Sequence, residues 1–114
     1  MQREIIFFED YFNQFYIEQT QKVKDKIDFV LILISTVRKI PEQYFKHIIG
    51  SDGLYEIRVQ QGSNIYRIFC CFDEGNVVVL FNGFQKKTQK TPKNELTLAE
   101  KIKKDYFNQK KANK

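Results

Sequence analysis

The longest hydrophobic pattern in the chain is helical and extends from about Glu18 to Val37. Its apolar side chains recur at spacings of three and four residues, which is typical of one buried face of an α-helix. Further apolar residues within 29–33 mean that apolar side chains nearly surround the second half of this helix. We therefore expect burial on two sides, and the alternative is one apolar side that contacts a partner chain.

Shorter patterns precede and follow this helix. Before it, they predict a strand over residues 2–8 and a short helix over 10–16. After it, they predict a short helical piece over 41–48, three strands over 54–60, 64–72 and 77–84 that are joined by short glycine-containing loops, and a last helix over 92–108. Loops this short make neighbouring strands antiparallel. The sequence thus predicts one α+β domain over residues 1–114, with a small antiparallel sheet of an N-terminal strand and a three-strand meander, and helices packed on one face.

Alternation along the strands decides which way two arginines face. In the strand 54–60, Arg58 lies on the same side as Glu56 and on the side opposite Ile57. If the helices cover the side of Ile57, Arg58 lies on the open face of the sheet. Arg67, in the next strand, joins it only in one register of pairing, which alternation alone does not determine.

Composition and charge add an asymmetry to this picture. The 42% of hydrophobic residues can form a modest core, and the 29% of charged residues favour a soluble protein. Residues 1–83 carry a net charge of −2, whereas residues 84–114 carry ten lysines and a net charge of +7. Charge concentrated in this way is expected of a surface that binds a polyanion, although a lysine-rich end can also serve solubility alone.

Several classes of protein are not favoured. No apolar run is long enough to cross a membrane, and the chain has no secretory signal. The adjacent Cys70 and Cys71 do not form a disulfide framework, and no motif for a metal or a cofactor is present. We expect a cytoplasmic protein without a metal or a cofactor.

The richest chemistry lies in the segment FQKKTQKTP, between the last strand and the last helix. It carries three lysines and two threonines: Lys86, Lys87, Lys90, Thr88 and Thr91. Thr91 can cap a helix that has Pro92 at its first position, and the free N–H groups of a helix start also favour anions. This cluster predicts a phosphate site.

His47 is the single histidine of the sequence, so RNA cleavage by a histidine pair is excluded. A cluster of cations can nevertheless cleave RNA. The guanidinium fork of an arginine suits the charge that develops on a phosphate under attack by a 2′-hydroxyl. Close packing of the lysines with the arginines would lower the pKa of a lysine and make it a usable base. The residues alone leave open which lysine would be the base.

Five motifs in order carry a family resemblance: GLYEIR, IYRI, DEGN, an apolar strand and GFQKKTQKTP. In these, the chain resembles the HigB-like, phage-related branch of the RelE/ParE toxin superfamily. The resemblance implies a metal-independent, ribosome-dependent mRNA endonuclease that uses strand-borne basic residues, and an antitoxin partner with a helix-turn-helix fold (HigA-like). It implies four catalytic residues, of which Arg67 stabilises the phosphate and Lys87 is the base: Arg58, Arg67, Lys87 and Lys90. It also implies five RNA-binding residues, of which Glu56 orients an arginine: Lys86, Glu56, Thr88, Thr91 and Tyr106.

Two other functions stay open. ParE-like relatives share the fold but inhibit DNA gyrase. A non-catalytic RNA- or ribosome-binding module would instead stack bases on aromatic rings such as Tyr55, Tyr66 and Phe69. The hydroxyl of Tyr106 could donate a proton, but an aromatic residue of a helix is more often a core residue.

Overall fold

The computed structural model describes residues 1–113, so that Lys114, the last residue of the predicted domain, lies outside them. Five strands and three helices follow one another along the chain: β1 (Glu4–Phe7), α1 (Tyr11–Ile17), α2 (Gln21–Thr36), β2 (Phe45–His47), β3 (Leu54–Gln61), β4 (Asn64–Asp73), β5 (Val77–Lys86) and α3 (Lys93–Ala112). The predicted α+β class is confirmed.

All five strands form one sheet in the order β1-β5-β4-β3-β2. The meander β3–β4–β5 is antiparallel as predicted, but β1 pairs with β5 in parallel, so the expectation of an antiparallel N-terminal strand is wrong. The chain between β1 and the meander contains two helices and β2, and parallel neighbours need a long crossover of this kind.

Strand β2 lies where the sequence predicted a short helical piece. Phe45–His47 pairs antiparallel with Tyr55–Ile57 at one edge of the sheet, and the rings of Phe45 and Tyr55 stack with 5.0 Å between centroids. A ladder with a neighbouring strand and aromatic packing therefore override the local helical preference.

Helices cover both faces of the sheet, so the expectation of helices on one face is wrong. Helices α1 and α2 pack on one face, which includes Ile57 and Ile68, and α3 packs on the other, which includes Leu54 and Phe69. Strands β4 and β5 are apolar on both sides, and each side needs a cover. The neighbours Ile68 and Phe69, both fully buried, belong to opposite cores.

Helix α2 buries a single stripe: Val23, Ile27, Val30 and Ile34. On its outer side, Phe29 and Ile32 are 49% and 61% exposed, so burial on two sides is not found. The alternative expectation requires an exposed apolar side, which the structure has, and its contact with a partner chain stays a prediction.

Helix α3 covers only part of its face. Near its start, Glu95 contacts Asn82 in the middle of β5, and further along Tyr106 contacts Asp73 at the end of β4. Arg67 pairs with Phe84, two residues beyond Asn82 along β5 and on the side away from Asp73, and Arg58 pairs with Arg67. None of the helices within residues 1–113 is both long and apolar enough to cross a membrane.

Candidate nucleic-acid interface

The pairing register brings the two strand-borne arginines together. Arg58 of β3 lies directly opposite Arg67 of β4, and side chains of directly paired residues project from the same face. This is the face of α3, opposite the face on which Ile57 packs against α2. The question that alternation left open is therefore answered: the two arginines lie side by side on one face of the sheet.

Glu56 lies between the two guanidinium groups. Its Oε2 atom is 2.6 Å from Nε of Arg67 and 3.3 Å from Nε of Arg58. The contact with Arg67 is an ion pair without hydrogen-bond geometry at Nε, and Nη1 of Arg67 donates to the carbonyl of Tyr66 at 3.2 Å. Glu56 and Arg67 are 8% and 9% exposed, so this ion pair is buried.

Burial is the largest influence on Arg67. It lowers the pKa of Arg67, and the charge of Arg58 lowers it further, while the carboxylate of Glu56 acts in the opposite direction. An arginine stays charged at neutral pH in any case. The positive charge of Arg67 is poorly solvated here, so its electrostatic attraction for an anion is stronger than that of an exposed cation.

A cavity of about 520 Å³ opens beside the arginine pair. Lys26 of α2 and the loop residues Gln43 and Tyr44 line it together with Arg58 and Arg67. Sequence reasoning missed these three residues, since Lys26 has the spacing of an ordinary solvated helix position and Gln43 and Tyr44 were assigned to a short helical piece. The size is within the range of ligand-binding pockets.

The lysine segment lies at the end of β5. Lys86 pairs with Ile65, two positions from Arg67 along β4, and thus shares the face of the arginines. Lys87 and Lys90 are exposed in the loop that follows, where the hydroxyl of Thr88 donates to the carbonyl of Lys90 at 2.9 Å. The structure therefore brings Arg58, Arg67, Glu56 and Lys86 to one face, and leaves the other lysines in solvent.

The start of α3 differs from the prediction. The helix begins at Lys93 with Pro92 in the cap position, and no side chain caps it. Thr91 as the cap and Pro92 as the first helical residue are therefore wrong by one position. Proline has a fixed φ angle and no N–H group, and it occupies the cap position with an extended ψ of 128°.

Tyr106 is not brought to the arginines. Its hydroxyl donates to Oδ2 of Asp73 at 2.6 Å, and its ring packs against Phe8 and Phe81. Burial first, and then Asp73, raise the pKa of Tyr106. Asp73 lies six residues beyond Arg67 on β4, about 20 Å away. The contacts of Tyr106 are those of a residue that fixes α3 to the sheet.

Within residues 1–113, no three His, Cys, Asp or Glu side chains are grouped in a way that could hold a metal ion. The chemistry at hand is that of guanidinium, ammonium, carboxylate and hydroxyl groups. Such groups can bind a phosphate, stabilise added negative charge and move protons.

A five-stranded sheet with three helices packed on it is compatible with the RelE-like class of small toxins. The chain belongs to the family described as Phage derived protein Gp49-like (DUF891), whose sequence model matches residues 15–104. This is a family of RelE/ParE-like toxins associated with toxin–antitoxin systems, and membership implies an antitoxin as partner. Among curated proteins, none matches the chain.

Proposed function

We propose that this protein is the toxin of a type II toxin–antitoxin system, of the HigB-like branch, and that it cleaves mRNA on the ribosome in the cytoplasm. The observation that carries the proposal is the pairing of Arg58 with Arg67 around Glu56, at the wall of a 520 Å³ cavity. A gyrase inhibitor has no need of two neighbouring guanidinium groups, one of them buried, at the wall of an open cavity.

The proposed reaction is attack of a ribose 2′-hydroxyl on the adjacent phosphate. The base removes the proton of the 2′-hydroxyl, a bond from the 2′-oxygen to phosphorus forms, the bond from phosphorus to the 5′-oxygen breaks, and the 5′-oxygen leaves with a proton, so that a cyclic 2′,3′-phosphate and a free 5′-hydroxyl result. Arg67 holds the phosphate and stabilises the charge of the transition state, and Arg58 adds a second guanidinium on the same face. Glu56 fixes both side chains before the substrate arrives, so that little reorganisation is needed during the reaction. Loss of one such preorganised donor typically costs about 10²–10³ in rate.

Proton transfer is assigned to Lys87 as the base, with Lys90 as the second lysine of the catalytic set. Lys86, Thr88 and Thr91 bind the RNA backbone in this proposal. Its support is their position, because the loop that carries four of these side chains follows directly from the strand end that shares the face of the arginines. A base of this kind typically contributes about 10²–10⁴ in rate.

The proposed partner is a helix-turn-helix antitoxin, HigA-like, encoded beside the toxin. The exposed apolar side of α2, with Phe29 and Ile32, is available to such a partner. Added to a cleavage reaction, the protein encoded beside this chain should suppress cutting.

The test is a cell-free translation reaction with a defined mRNA, followed by primer extension, in the presence and absence of ribosomes. Wild type is compared with Arg67→Ala, Lys87→Ala and Arg38→Ala. The last variant is the matched control, because Arg38 is exposed and does not line the arginine cavity. We expect discrete cuts that require ribosomes, that Arg38→Ala retains, and that Arg67→Ala loses by at least about 100-fold.

Two outcomes would contradict the proposal. Intact mRNA with normal protein synthesis would direct the next assay to gyrase. Intact mRNA on ribosomes that bind the protein, with affinity and its salt dependence both reduced in Arg67→Ala, would identify a non-catalytic RNA-binding module.

A further inference from the structure

The arginine cavity lies at an open edge of the sheet. Strand β2 pairs with β3 only as far as Ile57, and just beyond this pair the N–H group of Arg58 donates to the carbonyl of Tyr44 at 2.8 Å. Within residues 1–113, the last part of β3 therefore has no strand neighbour on this side. The cavity of about 520 Å³ occupies this edge, and Lys26 of α2 forms part of its wall. A substrate in the cavity is thus within reach of α2 as well as of the sheet.

The proposed cleavage needs two proton transfers, and only the first has an assigned residue. The base removes the proton of the 2′-hydroxyl, whereas no group has been assigned to protonate the 5′-oxygen as it leaves. A positioned proton donor typically contributes about 10²–10⁴ in rate, and it must be within hydrogen-bond reach of the oxygen. Of the lysines within residues 1–113, Lys26 alone lines the arginine cavity, and Lys87 lines a different one.

Few groups in the wall of the arginine cavity can release a proton. An arginine is not deprotonated in proteins, so Arg58 and Arg67 bind a phosphate without giving it a proton. The ammonium group of Lys26 and the hydroxyl of Tyr44 remain. Because attack by the 2′-oxygen adds negative charge to the phosphate, it attracts an ammonium group more strongly than a neutral hydroxyl. The wall therefore favours Lys26 as the proton donor.

Contacts with Phe29 hold the ammonium group at the cavity. The Nζ atom of Lys26 lies 5.2 Å from the centroid of the Phe29 ring, and a cation in this position is attracted by the ring. The ring of Tyr44, also in the cavity wall, packs edge-on against the same Phe29 ring, with 6.3 Å between centroids. None of the ion pairs formed within residues 1–113 involves Lys26, so no carboxylate competes with a substrate for it.

We propose that Lys26 is the general acid of the cleavage reaction and protonates the leaving 5′-oxygen. As the bond from phosphorus to the 5′-oxygen breaks, its electron pair stays on the oxygen and takes up a proton from the Lys26 ammonium group. The neutral amine then regains a proton from water. This inference rests on the proposed function for its reaction. It adds a catalytic residue from α2, a helix outside the five motifs that carry the family resemblance.

The test replaces the leaving 5′-oxygen by sulfur at the cut site, which primer extension of the wild-type reaction identifies. A thiolate leaves without a proton, so the sulfur substrate needs no acid. Single-turnover cleavage of both mRNAs on ribosomes is compared between wild type, Lys26→Arg and Lys26→Met. Arginine keeps the positive charge but does not give up a proton, so this variant separates acid catalysis from attraction of the phosphate.

The two substrates should respond differently to the variants. On the oxygen substrate, Lys26→Arg and Lys26→Met should both lose about 10²–10⁴ in rate. On the sulfur substrate, Lys26→Arg should cut as fast as wild type, which would also show that this variant is folded. Lys22→Met is the matched control, because Lys22 is exposed one turn earlier on α2 and does not line the cavity. It should leave both rates unchanged.

Wild-type cleavage of the oxygen substrate by Lys26→Arg would overturn the inference, since the positive charge alone would then be sufficient. An equal loss on both substrates in both Lys26 variants, as expected of a merely structural residue, would do the same. Slow cleavage by Tyr44→Phe that sulfur restores, beside a fully active Lys26→Arg, would assign the proton to Tyr44 instead. These results refute Lys26 alone, whereas wild type that leaves both mRNAs intact would refute the endonuclease and the acid together.

Discussion

Glu56 should contribute more to stability than any exposed ion pair of this chain, because its removal leaves two guanidinium groups facing each other. The proposed perturbation is Glu56→Gln, which keeps the shape and removes the charge. At the observed 3.3 Å to Arg58, the attraction between unit charges is about 5 kcal/mol with an effective dielectric constant of about 20. Desolvation offsets part of this attraction.

The expected net effect is at the lower end of what breaking a buried ion pair costs, about 3 kcal/mol, since the side chain of Arg58 is 28% exposed. This is a large part of the roughly 5–15 kcal/mol that stabilises an ordinary domain. The assay is urea unfolding followed by circular dichroism, with comparison of midpoints at equal slope. Glu42→Gln is the control, because the exposed pair with Lys46, at 3.6 Å, should contribute no more than about 1 kcal/mol.

A double-mutant cycle with Arg67→Met isolates the coupling. Once Arg67 is neutral and apolar, the loss of the Glu56 carboxylate leaves only Arg58, which can turn to solvent. The double variant should therefore be more stable than the sum of the two single effects predicts, by about 1–3 kcal/mol. Additive effects, or a change in Glu56→Gln no larger than in Glu42→Gln, would refute the coupled arrangement.

Two further predictions concern the packing of helices on the sheet. Gly83→Ala should lower the free energy of unfolding by about 1–3 kcal/mol, because the new methyl group would lie 2.5 Å from the Phe15 ring, and Phe15→Leu should restore part of it; unchanged urea midpoints would contradict the close contact. Tyr106→Phe should cost about 1.5 kcal/mol at neutral pH, since the hydroxyl donates to a carboxylate. Burial alone would raise the pKa of Asp73, but hydrogen bonds from Lys110 and Tyr106 together lower it. Its contribution is therefore present above the unfolded pKa of about 3.9 and is lost as the pH falls through the folded value, so the difference between variant and wild type should shrink in acid; a difference independent of pH would refute this account.

The arginine pair shows how much of the candidate site can be predicted from the sequence. Alternation placed Arg58 on the face opposite Ile57, but the position of Arg67 depended on the register. The turn between β3 and β4 determines this register. Gln61 pairs with Asn64, so only Gly62 and one further residue form the turn. With φ of 62°, Gly62 adopts the left-handed conformation that two-residue hairpins require. Interpretation of this segment as a two-residue turn would have predicted the pairing of the arginines.

Other features depend on tertiary packing and have no local signal. A strand of three residues such as β2 has too few positions for alternation to be recognised. Strands β4 and β5 are apolar on both faces, so each face needs a helix as cover. Their sequence does not indicate on which face α3 packs. Lys26 enters the arginine cavity only because α2 crosses the sheet beside β3, and its spacing along the chain is that of a solvated lysine.

The parallel pairing of β1 with β5 has a consequence for synthesis of the chain. Glu4 pairs with Val77, so the first strand finds its neighbour only after 73 further residues have been made. The hairpin that aligns Arg58 with Arg67 closes over two residues and can form early, whereas closure of so long a loop is slow and comes late. During translation, the N-terminal strand must therefore wait, unpaired, until most of the protein has left the ribosome.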